Sequence, residues 1–369
     1  MIGQKRTGSR EGGVEVVVTE LAIRMAALGH EVVCYDRSGT DINGNVAPSK
    51  PYDFNGVRIV PVRTINAKGL SALSSAYFAT RLAIRDCPDV IHYHAEGPSN
   101  ALPLAHKAGI RTVTTIHGLD WKRAKWSRAA AHMIKRGERA AARTSDEVIV
   151  LSRAVQDYFL DEYNRDTMYI PNGVEVKHAR IASVINDRWG LKSGSYVLYL
   201  GRLVPEKRVD LLLEAFRNVN TDKRLVLAGG SSDTADYVEH IKLMAKNDPR
   251  VVLTGFVDGE LVSELYSNAY CYVLPSDVEG MPMSLLEAMS YGCCCLTSDI
   301  AECVEVLGSA GHSFSTGSAY ELTRSLNELI ENPSQLKQLG EKARNRVKCF
   351  HNWNSIVEKT LSLYSERVQ

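Results

Sequence analysis

Residues 279–289, EGMPMSLLEAM, set two carboxylates eight positions apart, with a glycine, a proline and an apolar run between them. Pro282 suits a first helical position, where no amide donor is needed. Glu279 then lies just outside a helix start, and Glu287 lies two turns into the helix. The turn of Gly280, Met281, Pro282 and Met283 would aim its amides at a ligand. A carboxylate beside such a turn accepts hydrogen bonds from sugar hydroxyls. Glu287 matches a pair of vicinal hydroxyls, as on ribose. Taken alone, Glu287 reads equally as a solvated helix residue.

A second group supplies positive charge. GRLVPEKRVD carries Arg202 and Lys207 on one loop-to-helix turn after the strand-like SYVLYL. Guanidinium, ammonium and free helix amides all favour anionic oxygens, and together they suit a diphosphate. A solvated basic loop is the plain alternative. Near the chain start, TGSREGGVE carries Gly12 and Gly13 at the head of a helix. Two glycines there let the backbone approach a ligand closely. The pattern is not G-x-G-x-x-G, which counts against a nicotinamide cofactor.

His117 follows the strand-like IRTVTTI, and His92 and His94 alternate at the end of PDVIHYH. Alternation puts both on one face of a strand. Packing, lining of an acceptor site and a metal pair are the readings for these two, with packing foremost. Of the eight cysteines, Cys293, Cys294 and Cys295 are adjacent in an apolar, strand-like run. Strand neighbours face opposite ways, so the three make no ordinary metal site. They read as small buried residues in a reducing compartment.

These residues need a scaffold that brings strand ends together. Apolar strand-like runs alternate with helical segments along the chain, which predicts parallel sheets with helices on both faces. One series ends before residues 172–190 and a second begins after them. With 369 residues, two domains are the default, because one core rarely exceeds about 250–300 residues. In such sheets ligands bind at the carboxyl ends of strands, where these residues fall. The first strand should be central, yet only Met1, Ile2 and Gly3 precede a polar loop, so it reads as truncated.

Composition is ordinary for a globular chain, 44% hydrophobic and 24% charged. The net charge of +1 gives no support to a nucleic-acid partner. No apolar run approaches the ~18 residues of a membrane span, and no signal peptide is evident. Residues 121–143, from Trp121 to Arg143, hold eight Lys or Arg and one acid, Glu138. Trp126, Met133 and Ile134 give this stretch part of an apolar face. Residues 1–175 carry 23 basic and 19 acidic residues, against a net +1 for the whole chain. Contact with an anionic membrane and an ordinary basic surface helix both fit.

The ordered set of Gly12-Gly13, His117-Gly118, Pro171-Asn172-Gly173-Val174, Gly201-Arg202 with Lys207, and Glu279 with Glu287 resembles the GT-B glycosyltransferases of family 4. These are retaining enzymes with an E-x7-E motif, and the resemblance covers nearly the whole chain. It implies an α/β fold of two doubly wound, Rossmann-like domains facing across a cleft. Residues 1–175 would form the acceptor domain and 176–345 the nucleotide-sugar domain. Residues 346–369 would form a helix crossing back to the first domain.

The resemblance also implies roles. Arg202 and Lys207 would hold the donor diphosphate and stabilise it as it leaves. Glu279 would contact the transferred sugar, and Glu287 the ribose. Gly12 and Gly13 would approach the diphosphate and sugar, and His117 would line the reaction centre. Phe256 and Val257, in LTGFVDGE, would lie near the base. With Arg202 and Lys207 answering the charge on the leaving group, no divalent cation and no cofactor are expected. Asp277 and Glu279 form a D-x-E, like the metal-binding D-x-D of the other major glycosyltransferase fold, but the two cations already supply positive charge.

The expected activity is retaining transfer from a nucleotide-diphosphate sugar, UDP first and GDP second, to a saccharide or lipid-linked acceptor. The setting is surface-polysaccharide assembly such as capsule, exopolysaccharide or O-antigen, cytoplasmic and peripheral on the inner membrane face. The rivals are a GT-B-fold nucleotide-sugar epimerase, a nucleotide-sugar-binding remnant without transfer activity and, more weakly, a nicotinamide oxidoreductase.

Overall fold

The computed structural model describes residues 1–40, 46–65, 67, 70–123, 126–230 and 234–365. The chain divides into two compact units, Met1–Asn172 together with the C-terminal segment from Trp353, and Gly173–Asn352.

In the first unit the strands are β1 (Val33–Arg37), β2 (Tyr52–Phe54), β3 (Val57–Val62), β4 (Val90–His94), β5 (Arg111–Ile116), β6 (Glu147–Val150) and β7 (Met168–Tyr169). They pair in the orders β1-β3-β2 and β4-β5-β6-β7. All pairings are parallel except β2 with β3. The alternation of strand and helix did not anticipate that hairpin. Its turn is Asn55-Gly56, with φ of 52° and 81°. Asn-Gly is the pair that accepts positive φ at both positions, so DFNGVR carried the signal.

Ile2 lies between the two sets of strands. It bridges in parallel to Tyr35 on one side and Tyr93 on the other. Its N–H donates to His92 O at 2.9 Å, and its carbonyl accepts from His94 N–H at 2.8 Å. The short start thus fills the central strand position with one bridging residue, whose side chain is 1% exposed. Around it pack Tyr35, Val62, Ala79, Ile91, Tyr93 and Leu102. The helix Trp353–Ser365 belongs to this unit and packs against Gly13–Ala27 and β5.

The second unit has β8 (Tyr196–Leu200), β9 (Arg224–Ala228), β10 (Val251–Gly255), β11 (Cys271–Leu274), β12 (Cys295–Ser298) and β13 (His312–Phe314). Their order is β10-β9-β8-β11-β12-β13, all parallel. The central strands are near-continuous apolar runs because helices cover both faces. Val197, Leu198, Leu225, Val226, Leu227, Val273 and Leu274 are all fully buried. Strand β12 starts at Cys295, so Cys293 and Cys294 precede it rather than lying within a strand. All three thiols are buried and free.

Candidate active site

Sequence-predicted residues of the second unit lie at the carboxyl ends of its strands. Gly201 and Arg202 directly follow β8. The φ of Gly229 is +143°, and a Cβ there would lie 1.8 Å from Gly201 O. Glycine is therefore required where the exits of β8 and β9 touch. Leu203 N–H donates to Gly230 O at 3.1 Å, which fixes the loop on this contact. Tyr199 OH donates to Arg202 O at 2.7 Å and holds that residue from below. A 3₁₀ turn, Pro205–Lys207, then leads into the helix Val209–Arg217.

Lys207 forms an ion pair with Glu279. The side chains are 13% and 8% exposed, so the pair is largely shielded from water. Ser276 OH donates to the same Glu279 oxygen at 2.7 Å. Arg208 pairs with Asp277 at 3.1 Å. Both carboxylates of the D-x-E are thus engaged by cations. Among the described residues no group of three or more His, Cys, Asp or Glu is arranged to hold a metal.

Pro282 is the cap of the helix Met283–Ser290, with φ −73° and ψ 106°, rather than its first residue. Its missing N–H costs nothing at the cap either, so the helix start moves by one position. Gly280 and Met281 are buried, Met283 and Glu287 half-buried. Tyr266 OH donates to Ser284 O at 3.1 Å and to Glu287 Oε2 at 3.4 Å. Phe256 follows β10 and is 40% exposed, and Val257 is half-buried. Sequence reading missed Ser276, Tyr266 and Glu206. Glu206 adjoins Lys207 and is buried, with neither carboxylate oxygen hydrogen-bonded among the described residues.

In the first unit, Gly12 is the extended cap of the helix Gly13–Ala27. A Cβ on Gly12 would lie 2.4 Å from Glu15 Oε2. Glu15 is buried in the first turn, and its Oε1 accepts Lys5 N–H at 2.9 Å. Asp36 at the end of β1 accepts Thr7 N–H and Thr7 OH, both at 2.8 Å, and Gln4 Nε2 at 3.1 Å. Burial raises the Asp36 carboxyl above its ordinary value, and the Thr7 and Gln4 donors work against that rise. Glu15 and Asp36 thus tie down the loop that leads to Gly12. Sequence reading missed both, because no local pattern marks a contact across 10 positions for Glu15 or across 29 and 32 for Asp36.

His117 directly follows β5, and Gly118 beside it has φ +136°. His117 is buried, and burial lowers its pKa to about 4, although Asp120 and Glu15 pull upward. Its Nε2 lies 3.1 Å from His94 Nδ1. His92 and His94 share a face, with ring centroids 4.1 Å apart and stacked. His92 is held by Tyr364 OH at Nδ1 and Thr115 OH at Nε2, each at 2.7 Å. These contacts account for both His92 nitrogens and one of His94, and they replace the metal-pair reading.

Within residues 121–143, the helix Arg128–Thr144 buries Ile134, Gly137, Glu138, Ala141 and Ala142. A Cβ on Gly137 would lie 1.8 Å from Glu96 O, so the helix sits tightly on the β4 exit. Glu138 accepts from Trp121 Nε1 at 2.8 Å, Lys135 Nζ at 2.9 Å, Tyr158 OH at 2.8 Å and Tyr163 OH at 2.5 Å. Ile134 and Trp121 thus face the fold. The exposed side carries Arg128, His132, Arg136, Arg139 and Arg143. Among the described residues no helix is long and apolar enough to cross a membrane.

Comparison with known proteins agrees with this layout. The model for Glycosyltransferase Family 4 matches residues 11–178, and that for Glycosyl transferases group 1 matches residues 185–346. The chain is 25% identical over 366 residues to N-acetyl-alpha-D-glucosaminyl L-malate synthase of Bacillus anthracis, covering 96% of this chain and 92% of that one. Its fold is similar to that of sucrose-phosphate synthase from Thermosynechococcus elongatus, with TM-score 0.82, 23% identity, and 96% and 93% of the two chains covered. It is also similar to Anabaena HepE in complex with UDP-glucose, with TM-score 0.78, 17% identity, and 97% and 98% covered. With Rossmann-like, mainly parallel strand arrangements in both units and family matches along both halves, the chain belongs to the GT-B glycosyltransferases of family 4 and is a nucleotide-sugar-dependent glycosyltransferase.

Proposed function

We propose that this enzyme transfers a sugar with retention of anomeric configuration, without a divalent cation, and with UDP as the first choice of donor nucleotide and GDP the second. The observation that carries the reading is the Lys207–Glu279 pair, braced by Ser276 beside the start of the helix Met283–Ser290. Breaking a sugar–phosphate bond develops negative charge on the diphosphate and positive charge on the sugar. Arg202, Lys207 and the helix amides answer the first by fixed electrostatics. A bound diphosphate competes with Glu279 for Lys207, which frees that carboxylate for the sugar hydroxyls. Glu287 binds the ribose, oriented by Tyr266. Phe256 and Val257 border the base. Gly12, Gly13 and His117 serve the sugar side. The acceptor hydroxyl attacks on the face from which the diphosphate departs, and the diphosphate takes the proton.

The UDP preference is supported by the UDP-glucose complex of the Anabaena protein. The acceptor is a saccharide or a lipid-linked saccharide in surface-polysaccharide assembly, met at the inner face of the plasma membrane. Support for that setting is the exposed row of Arg128, Arg136, Arg139 and Arg143, which suits an anionic surface. With Ile134 and Trp121 turned inward, the contact is electrostatic rather than inserted. The test is incubation with a panel of UDP- and GDP-sugars and lipid-diphosphate saccharide acceptors in EDTA, with the product anomer read by NMR. An α-linked product from an α-linked donor is expected. An inverted product, or turnover only on adding a divalent cation, overturns the reading.

A further inference from the structure

Among the described residues the first unit contains three buried histidines, and only one follows a strand in the place expected of a reaction-site residue. His117 shares its Nε2 with His94 Nδ1 across 3.1 Å. His94 is fully buried, and its other nitrogen, Nε2, has no hydrogen-bond partner among the described residues. His92 stacks on the His94 ring at 4.1 Å and is itself fixed by Tyr364 and Thr115.

From this geometry we infer that His94 is a positioning residue that sets the tautomer of His117, making His117 a neutral hydrogen-bond donor through Nδ1 rather than a general base. A neutral imidazole carries one proton, and only two arrangements satisfy the shared bond. If His117 Nε2–H donates, the proton of His94 lies on its Nε2, a buried N–H with nothing to receive it. If His94 Nδ1–H donates, the unpartnered atom is a lone pair. Buried N–H groups are left orphaned less often than acceptors. The second arrangement therefore holds, and the proton of His117 is on Nδ1. Protonating His117 at Nε2 would set two N–H groups against each other. Burial opposes the charged form as well. The groups facing His117 are Glu15 from the helix Gly13–Ala27, Asp120 and Arg123 from the segment after β5, and His92 and His94 from β4.

The ligand group that His117 serves is then an acceptor oxygen, a sugar hydroxyl or a phosphate. This step rests on the proposed place of His117 beside the transferred sugar, whereas the tautomer itself does not.

The test begins with the full chain labelled with ¹⁵N-histidine. Long-range ¹H–¹⁵N correlations at neutral pH, assigned with His117→Gln, are expected to show His117 protonated at Nδ1 and bare at Nε2. The reverse pattern overturns the inference. Two variants carry it to function. In His94→Asn the side-chain amide still donates to Nε2, and turnover is expected within about threefold of the parent. In His94→Asp the carboxylate only accepts and draws the proton to His117 Nε2. Turnover is expected to fall at least tenfold with little change in donor KM, and the acid limb of its pH profile to move towards neutrality. Equal turnover and superimposable pH profiles for the two variants overturn the positioning role. If the His94 variants misfold, the spectrum of the parent chain still decides the tautomer. A parent chain that shows the Nδ1–H pattern yet transfers no sugar sinks the proposed function and leaves the assignment standing.

Discussion

The two units hold polar groups at their strand ends in opposite ways. In the second unit the groups are charged and paired, Lys207 with Glu279 and Arg208 with Asp277. In the first unit His92, His94 and His117 are buried, which disfavours their charged forms, and are joined to one another and to hydroxyls. A paired charge can exchange its partner for a charged ligand. A neutral buried network has no such exchange to make, so it fixes geometry and hydrogen-bond direction instead. The difference predicts which substitutions damage chemistry and which damage the fold.

The largest effect is expected at Lys207. Lys207→Ala should lower kcat by about 10²–10³, as for loss of one preorganised group that stabilises developing charge, while circular dichroism stays close to the parent. A fully active variant would erase the charged half of the comparison. Glu138→Ala should do the reverse. It strips the shared acceptor from Trp121, Lys135, Tyr158 and Tyr163 and should cost about 3 kcal/mol of stability, read as a fall in denaturant midpoint.

Acid sharpens the contrast next. The His117 pKa is lowered by burial to about 4, from an unfolded value near 6.5. The unfolded chain therefore binds more protons between those values, and stability present above pH 6.5 is lost as pH falls towards 4. His117 alone would account for about 3 kcal/mol of that loss, and burial lowers His92 and His94 too. Melts at pH 7 and pH 5 should differ, and the slope should shrink in His117→Gln. A flat profile would show that the cluster is hydrated or charged. A smaller change is expected at Glu287. Glu287→Ala should weaken nucleotide binding by about tenfold, one charged hydrogen bond's worth, with the melting temperature of the free chain little altered. Unchanged nucleotide affinity would remove the ribose role. Smallest of all, Arg136→Glu with Arg139→Glu should move stability by less than about 0.5 kcal/mol. The same pair should abolish sedimentation with anionic vesicles at low salt, and unchanged sedimentation would end the membrane reading.

Legibility in the sequence followed the same division. The strands of the second unit from β8 to β12 stand out as apolar runs, and Arg202, Lys207 and Glu279 stand out because each follows one. Strands β2, β7 and β13, of two or three residues, are too short to show a period. The groups that brace the site are hidden for a different reason. Thr7 meets Asp36 across 29 positions, and Gln4 meets it across 32. Nothing local marks such pairs. His94 and His117 meet only because β4 and β5 align His94 with Thr115, two residues before His117. That register is a property of the folded sheet, so alternation in PDVIHYH reveals the shared face of His92 and His94 but not their partner.

The central claim is that the second unit binds a nucleoside diphosphate through Lys207 and Glu287. Calorimetric titration of UDP into the whole chain in EDTA tests it most directly, with Lys207→Ala and Glu287→Ala alongside. Saturable one-site binding by the parent chain, weakened in both variants, is the predicted result. Absence of binding to UDP and GDP alike, or equal affinity in all three proteins, would contradict it.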